Sequence, residues 1–271
     1  MIIWLSSYHK SGNTWVRTFL TNYLYEEKDD PFENINKIPS YPRERHFTFL
    51  NEQELKTLGD KENSFKHYIK SQEKINSNGD LSLFKTHSYC GGVNNNYFTN
   101  SQNTAGFIYF VRDPRSVAIS LSHHMTKSLE DVVNIMTDQK TFMKVNDEFS
   151  EYLSSWRINY LSWRNAKYPK LIIKYEDLKD NSYDNFKKIL KFINNHVNIE
   201  INDEKIRKII AKCEFKNLQN FEKKNGFKER KGKQLFFRQG KVDEWKERLP
   251  QNLVDKLEKE FNSEMKELGY L

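Results

Sequence analysis

The stretch Thr104–Val111, reading Thr-Ala-Gly-Phe-Ile-Tyr-Phe-Val, is the strongest buried-strand signal in the chain, and it stops at Arg112-Asp113-Pro114. A short apolar run without polar alternation suits a strand covered on both faces, and such strands belong to parallel sheets with helices on each side. Pro114 suits the first turn of a helix, and Val117, Ala118, Leu121 and His124 follow at helical spacing. Other segments repeat the theme. Residues 2–6 form a short apolar run, closed by the polar, glycine-containing stretch 7–13 and followed by Trp15, Phe19, Leu20, Tyr23 and Leu24 at helical steps. Residues 81–86 and 171–174 read as two more strands, with the turn-rich stretch 88–103 after the first and a helix over 184–193 after the second. Further helices are expected within 52–75, over 149–166 and over 251–268. Strands alternating with helices, with no linker in 271 residues, imply one α/β domain over residues 1–271, with a mostly parallel central sheet flanked by helices on both faces.

Composition narrows the function. The formal net charge is +7, from 44 Lys and Arg against 37 Asp and Glu. The excess is dispersed, from Arg43 and Arg45 to Lys246 and Arg248, as on an ordinary solvated surface. A basic balance also suits anionic ligands. No zinc-finger spacing, basic zipper or RRM signature appears, so no nucleic-acid partner is expected. Cys90 and Cys213 are the two cysteines, which leaves no disulfide framework or CxxC metal site and fits a reducing compartment. No apolar run approaches the ~18 residues of a membrane helix, and Met1-Ile2-Ile3-Trp4-Leu5 is too short for a signal segment. A soluble, cytoplasmic chain without an integral membrane segment is the expectation.

Three segments at strand ends carry chemistry. His9-Lys10-Ser11-Gly12-Asn13-Thr14-Trp15 lies between a strand and a helix, where unpaired N–H groups and the positive end of the helix dipole face an anion. Gly12 permits close backbone approach, Ser11 and Thr14 offer hydroxyls, and Lys10 adds charge. A Walker A loop needs GxxxxGK[ST], and here the lysine precedes the glycine. On spacing alone a plain βα turn accounts for these residues equally well. Arg112 stands at the carboxyl end of Thr104–Val111, where ligands bind in parallel α/β sheets, and its guanidinium fork suits phosphate; an Arg–Asp surface pair is the alternative. Ser120, eight residues on, is by itself an ordinary helical serine. Phe84-Lys85-Thr86-His87 ends another strand, and a histidine there can act as a general base or be structural. His123 and His124 are expected to be packing or surface groups. Late in the chain, Phe236-Phe237-Arg238-Gln239-Gly240-Lys241 precedes Asp243-Glu244-Trp245-Lys246 and reads, taken alone, as a surface loop.

Taken together and in order, these pieces resemble the PAPS-dependent sulfotransferase family. Tyr8-His9-Lys10-Ser11-Gly12-Asn13-Thr14-Trp15 is similar to its Tyr-Pro-Lys-Ser-Gly-Thr-Thr-Trp signature, in a Ser-Gly-Asn-Thr-Trp form that looks like the bacterial branch. Lys85-Thr86-His87 matches its Lys-Thr-His motif, and Arg112 with Ser120 its Arg-to-Ser spacing. Tyr175-Glu176-Asp177-Leu178 resembles its Tyr-Glu-Asp-Leu segment, and Arg238-Gln239-Gly240 to Trp245 its C-terminal Arg-Lys-Gly…Gly-Asp-Trp. The matches run from residue 2 to the C-terminus.

The resemblance implies a fold related to P-loop NTPases and metal-free in-line transfer of a sulfuryl group from 3′-phosphoadenylyl sulfate (PAPS), leaving adenosine 3′,5′-bisphosphate (PAP). The acceptor it implies is a hydroxyl or amine of a small molecule, glycan or lipid. Lys10, Ser11, Gly12, Asn13, Thr14 and Trp15 would hold the 5′-phosphosulfate, with Trp15 against adenine. Arg112, Ser120, Arg238 and Gly240, with Gln239 beside them, would hold the 3′-phosphate, and Tyr175 and Phe215 would touch adenine. His87 would take the acceptor's proton, Lys10 would stabilise the leaving oxygen and Lys85 the transferring group. Three departures stand out: His9 replaces Pro, Gln239 replaces Lys and Asp243 replaces Gly. The Thr-Val-containing dimer motif of the animal enzymes has no counterpart near residues 246–251, so that dimer is not assumed. A P-loop kinase or NTPase would need the missing Walker A loop, and a non-catalytic nucleotide-binding protein would turn His87 away from the site. Segments 26–80, 88–103, 125–150 and 219–237 are expected to line the acceptor pocket. Phe47, Phe49, Tyr89, Tyr97 and Phe98 in them fit a sugar, a phenol or a lipid-like alcohol equally.

Overall fold

A computed structural model describes residues 1–144, 150–230 and 235–271. Strands β1 (Ile2–Ser7), β2 (Ser82–Thr86), β3 (Thr104–Val111) and β4 (Lys170–Lys174) form one sheet in the order β2-β1-β3-β4, with every neighbouring pair parallel. Ser6 pairs with Thr86, Ser7 with Phe110, and Val111 with Lys174. The carboxyl ends of the four strands therefore finish side by side, and the chain segments leaving them converge on one edge.

The side-chain period of two divides the apolar residues between two cores. Ile2 and Trp4 of β1, Phe84 of β2, and Phe107, Tyr109 and Val111 of β3 meet Trp156, Tyr160 and Trp163 of helix Trp156–Arg164 and Leu253 and Leu257 of helix Gln251–Glu260. Ile3, Leu5, Ile108, Phe110 and Ile173 face the other way, against Val16, Phe19 and Leu20 of α1 (Asn13–Leu24) and Phe186, Ile189 and Ile193 of helix Ser182–Asn194. Phe19 and Phe186 stack with ring centroids 3.9 Å apart. The single α/β domain with a parallel sheet covered on both faces is as expected. Pro114 opens helix Pro114–Met125, and the Asp113 side chain caps it by accepting the Arg115 N–H at 2.9 Å.

Three helical expectations need correction. The helix expected over 149–166 starts at Trp156, because Ser155 accepts the Ile158 N–H at 3.2 Å and caps it there. Ser150–Tyr152 pairs antiparallel with Phe142–Lys144 instead, and Phe149 lies outside the described residues. The 52–75 stretch contains two helices, Glu52–Lys56 and Lys61–Ile75, since Asp60 caps the second by accepting the N–H groups of Glu62 and Asn63. The 251–268 helix breaks at Phe261, which is buried in the first core, giving Gln251–Glu260 and Asn262–Glu267. Among the described residues no helix is long and apolar enough to cross a membrane.

Candidate active site

A cavity of about 910 Å³ opens at the carboxyl edge of the sheet. Every residue that the resemblance assigns to donor binding or catalysis lines it except Ser11. Lys10, Gly12, Asn13, Thr14 and Trp15 come from the β1–α1 junction, Lys85 and His87 from β2, Arg112 and Ser120 from β3 and its helix, and Tyr175 from the end of β4. Phe215, Arg238, Gln239 and Gly240 close it from the later chain.

The β1–α1 loop is bent by two left-handed residues, Lys10 at φ 63° and Gly12 at φ 92°. Gly12 is the N-cap of α1 and offers no side-chain cap, so the first-turn N–H groups remain available to an anion. A Cβ on Gly12 would stand 2.7 Å from the Tyr175 ring, so only glycine allows the tyrosine to pack there. The Asn13 side chain points back, donating to the Leu5 carbonyl at 2.8 Å and to Ser7 Oγ at 3.3 Å. It braces the loop against β1, and any anion contact from Asn13 must come from its backbone. Ser11 Oγ is buried and has no hydrogen-bond partner among the described residues.

Arg112 holds two walls together. Its guanidinium donates to the Lys10 carbonyl at 3.1 Å and the Lys241 carbonyl at 3.0 Å, and lies 4.3 Å over the Tyr175 ring. Helix Phe215–Asn225 positions the last wall. Its buried Glu222 accepts the N–H groups of Phe236 and Phe237, and Gln219 donates to the carbonyls of Phe237 and Arg238. Gly240 has φ 62°, and a Cβ there would stand 2.6 Å from Phe215. Arg238 is paired with Glu244, which also accepts from Arg248 at 2.7 Å. Trp15 donates to the Cys213 carbonyl at 2.9 Å and meets Tyr175 edge-on at 6.2 Å. Trp15, Tyr175 and Phe215 thus border one end of the cavity, while Ser120 sits half-buried in its wall.

His87 is held from both sides. Its Nδ1 lies 2.8 Å from the Ser7 carbonyl, which requires Nδ1 to carry the proton and leaves Nε2 as the basic nitrogen. Its backbone N–H donates to Glu151 at 2.7 Å, and Asn159 donates to its carbonyl at 2.9 Å. Burial, then the Lys85 charge, hold His87 well below the usual imidazole range, so it is neutral. The His9 ring stands 4.0 Å from the His87 ring; burial, then His87 and Lys85, keep it neutral too. Its packing against His87 gives the residue that replaces the family's proline a place in the site. Lys10 lies 3.9 Å over the Phe236 ring, and burial, followed by the charges of Arg112 and Lys85, lowers it to about 7.

Sequence reasoning missed several site residues. Arg17 follows Thr14 by three positions and shares its helix face, a signal that was available. Glu229 was less visible. Its carboxylate accepts from Thr14 Oγ1 at 3.0 Å and Arg17 at 2.6 Å, with Lys85 Nζ at 3.9 Å. Burial alone would raise its pKa, but Lys85 and Arg17 outweigh that and bring it to about 2. Arg43, Glu151 and His124 also line the cavity, His124 as a helical group packed edge-on against Phe236, in keeping with the packing role expected of it. The acceptor-side aromatics need correction. Phe47 and Phe98 are in the first core, Phe49 and Tyr89 pack against it, and Tyr97 is exposed, so none lines the cavity. Ser40, Arg43, Thr126, Asp138, Lys140 and Thr141 stand there instead. The stretch 88–103 lines no part of the cavity, and its Tyr89, Cys90, Val93 and Phe98 lie in or against the first core.

The sulfotransferase domain model matches residues 2–269. Flavonol 3-sulfotransferase of Flaveria bidentis is 24% identical over 98% of this chain and 82% of its own length. Cytosolic sulfotransferase 15 of Arabidopsis thaliana is 25% identical over 93% of this chain and 68% of its own. A mouse sulfotransferase solved in complex with PAP superposes with a TM-score of 0.60 at 18% identity, covering 97% of this chain and 84% of that one. Retinol dehydratase, solved with retinol and PAP, gives 0.63 at 14% identity over 98% and 81%. These structural likenesses speak to the fold, whereas the domain match spans each loop that reaches the cavity. The chain belongs to the sulfotransferase domain family.

Proposed function

We propose that the protein transfers the sulfuryl group of PAPS to a hydroxyl or amine of a small-molecule, glycan or lipid acceptor, in the cytoplasm. The observation that carries this reading is the meeting of an N–H cradle, a half-buried lysine and a neutral, oriented histidine in one cavity. The donor suits the residues present. Ser11 Oγ is a buried hydroxyl in need of a partner, Gly12 and Gly240 let the Tyr175 and Phe215 rings close against their loops, and Thr14, Arg17 and Lys85 already hold an anion, the Glu229 carboxylate. In this reading Lys10, Ser11, Gly12, Asn13, Thr14 and Trp15 hold the 5′-phosphosulfate, through backbone N–H groups and hydroxyls. Trp15, Tyr175 and Phe215 border the adenine, and Arg112, Ser120, Arg238, Gln239 and Gly240 surround the 3′-phosphate.

PAPS supplies an activated sulfuryl group, and its displacement spreads charge over equatorial oxygens as phosphoryl transfer does, so positioning and electrostatics dominate. His87 Nε2 accepts the acceptor's proton. Ser7 fixes its tautomer, and the depressed pKa keeps it unprotonated at neutral pH. Such general-base work is worth ~10²–10⁴-fold. Lys10 stabilises the leaving oxygen and Lys85 the group in flight. β2 is the edge strand beyond β1, opposite β3 and β4, and Ser40 bridges to its Lys85, so the acceptor approaches from the side of Ser40 and Arg43. Calorimetric titration with PAP and a PAPS turnover assay, on wild type and His87→Ala, test the reading. Both proteins should bind PAP, and the variant should lose ~10²–10⁴-fold in turnover; failure to bind PAP would sink the donor assignment.

A further inference from the structure

Glu229 sets a carboxylate among the cations at the β1–α1 junction. It is the one acid in the basic run from Lys223 to Lys233, which also includes Lys224, Lys228, Arg230 and Lys231. Its carboxylate nevertheless reaches Arg17 and Lys85, whose side chains are only 1% and 12% exposed. One oxygen accepts from Arg17 at 2.6 Å; the other accepts from Thr14 Oγ1 at 3.0 Å and faces Lys85 Nζ at 3.9 Å. Arg17 is itself fixed, donating to the Ile35 and Ile38 carbonyls, so the cradle is built before any ligand arrives. Thr14 stands in the first turn of α1, and its hydroxyl has a single hydrogen to give. A phosphosulfate at that helix N-terminus needs the same hydroxyl and the same lysine, and two anions there repel.

We infer that Glu229 is an internal competitor for the phosphosulfate position: its carboxylate must leave Thr14 and Lys85 before the donor can bind, and its return favours release of the bisphosphate product. This rests on the donor reading above. Gly226, the C-cap of helix Phe215–Asn225 at φ 78° with open space around it, supplies a backbone joint three residues upstream.

Calorimetric titration of the full chain tests this with two probes, PAP and adenosine 3′-monophosphate, which lacks the 5′-phosphate. Glu229→Gln keeps the acceptor oxygen and the packing but removes the charge. It should tighten PAP binding by about tenfold, the difference between a charged and a neutral hydrogen-bond acceptor, and leave the monophosphate unchanged. Glu229→Ala should show the same selectivity. Equal tightening of both nucleotides would mean that Glu229 only pins the wall. No tightening of PAP, or weakening, would overturn the inference while leaving the donor reading intact. If neither wild type nor variant binds either nucleotide, the donor reading fails and the inference with it.

Discussion

Lys10 shows how one residue's surroundings set its chemistry. Burial, with Arg112 and Lys85 nearby, lowers it to about 7, so near neutral pH a large fraction is uncharged. An incoming anion favours the ammonium form. Binding of PAP above pH 7 should therefore take up a proton, and affinity should fall as pH rises. Titrations at about pH 8, one unit above that pKa, in buffers of different ionisation enthalpy should report net uptake, absent in Lys10→Met; equal heats in the two buffers would contradict it. His46 offers a stability counterpart. Burial, then Arg45 and Arg43, lowers it to about 3, and its Nδ1 accepts the Arg43 N–H at 3.1 Å. The folded pKa lies below the unfolded value, so its contribution is complete above pH ~6.5 and is lost as pH falls toward the folded value, at up to about 1.4 kcal/mol per pH unit. Urea unfolding between pH 7 and 5 should show a shallower slope in His46→Asn than in wild type. Parallel slopes would deny His46 the role.

At the level of elements, the β1–α1 junction depends on Gly12. A side chain there meets left-handed backbone at φ 92° and the Tyr175 ring at 2.7 Å. Gly12→Ala should destabilise the fold by roughly 1–3 kcal/mol and weaken PAP binding, because Tyr175 and the Arg112 guanidinium stacked on it must shift. Unchanged PAP affinity in calorimetry would contradict this. The four strands were legible because buried runs with period-two cores carry their own signal, and Ser7, Thr86, Val111 and Lys174 end them close to where composition changes. The helix expected from 149 was not legible, since Ser155, a cap, competes with an aromatic-rich pattern that reads as helical from its first residue. The split at Asp60 is the same lesson: local side-chain capping decides where a helix starts, and periodicity alone does not see it.

The whole molecule brings together groups that no window of sequence contains. Arg17 and Glu229 are 212 residues apart in the chain and 2.6 Å apart in the fold. Their pairing follows from the strand order β2-β1-β3-β4 and the return of the chain after residue 215, neither of which periodicity reveals. Lys10, Lys85, His87 and Arg112 were legible because each lies at or just past a strand's carboxyl end, which a parallel sheet gathers at one edge. The aromatics assigned to the acceptor pocket were not, because aromatic composition does not separate a core ring such as Phe98 from a cavity wall. The proposed chemistry converges on His87 at that edge. The most direct measurement is transfer of radiolabelled sulfuryl from PAPS into a metabolite extract, comparing wild type with a His87→Ala variant shown to bind PAP. The expected result is labelled product with wild type and a loss of ~10²–10⁴-fold in the variant. Equal labelling by both proteins, or no labelling by wild type in any extract, would contradict the assignment of this site to sulfuryl transfer.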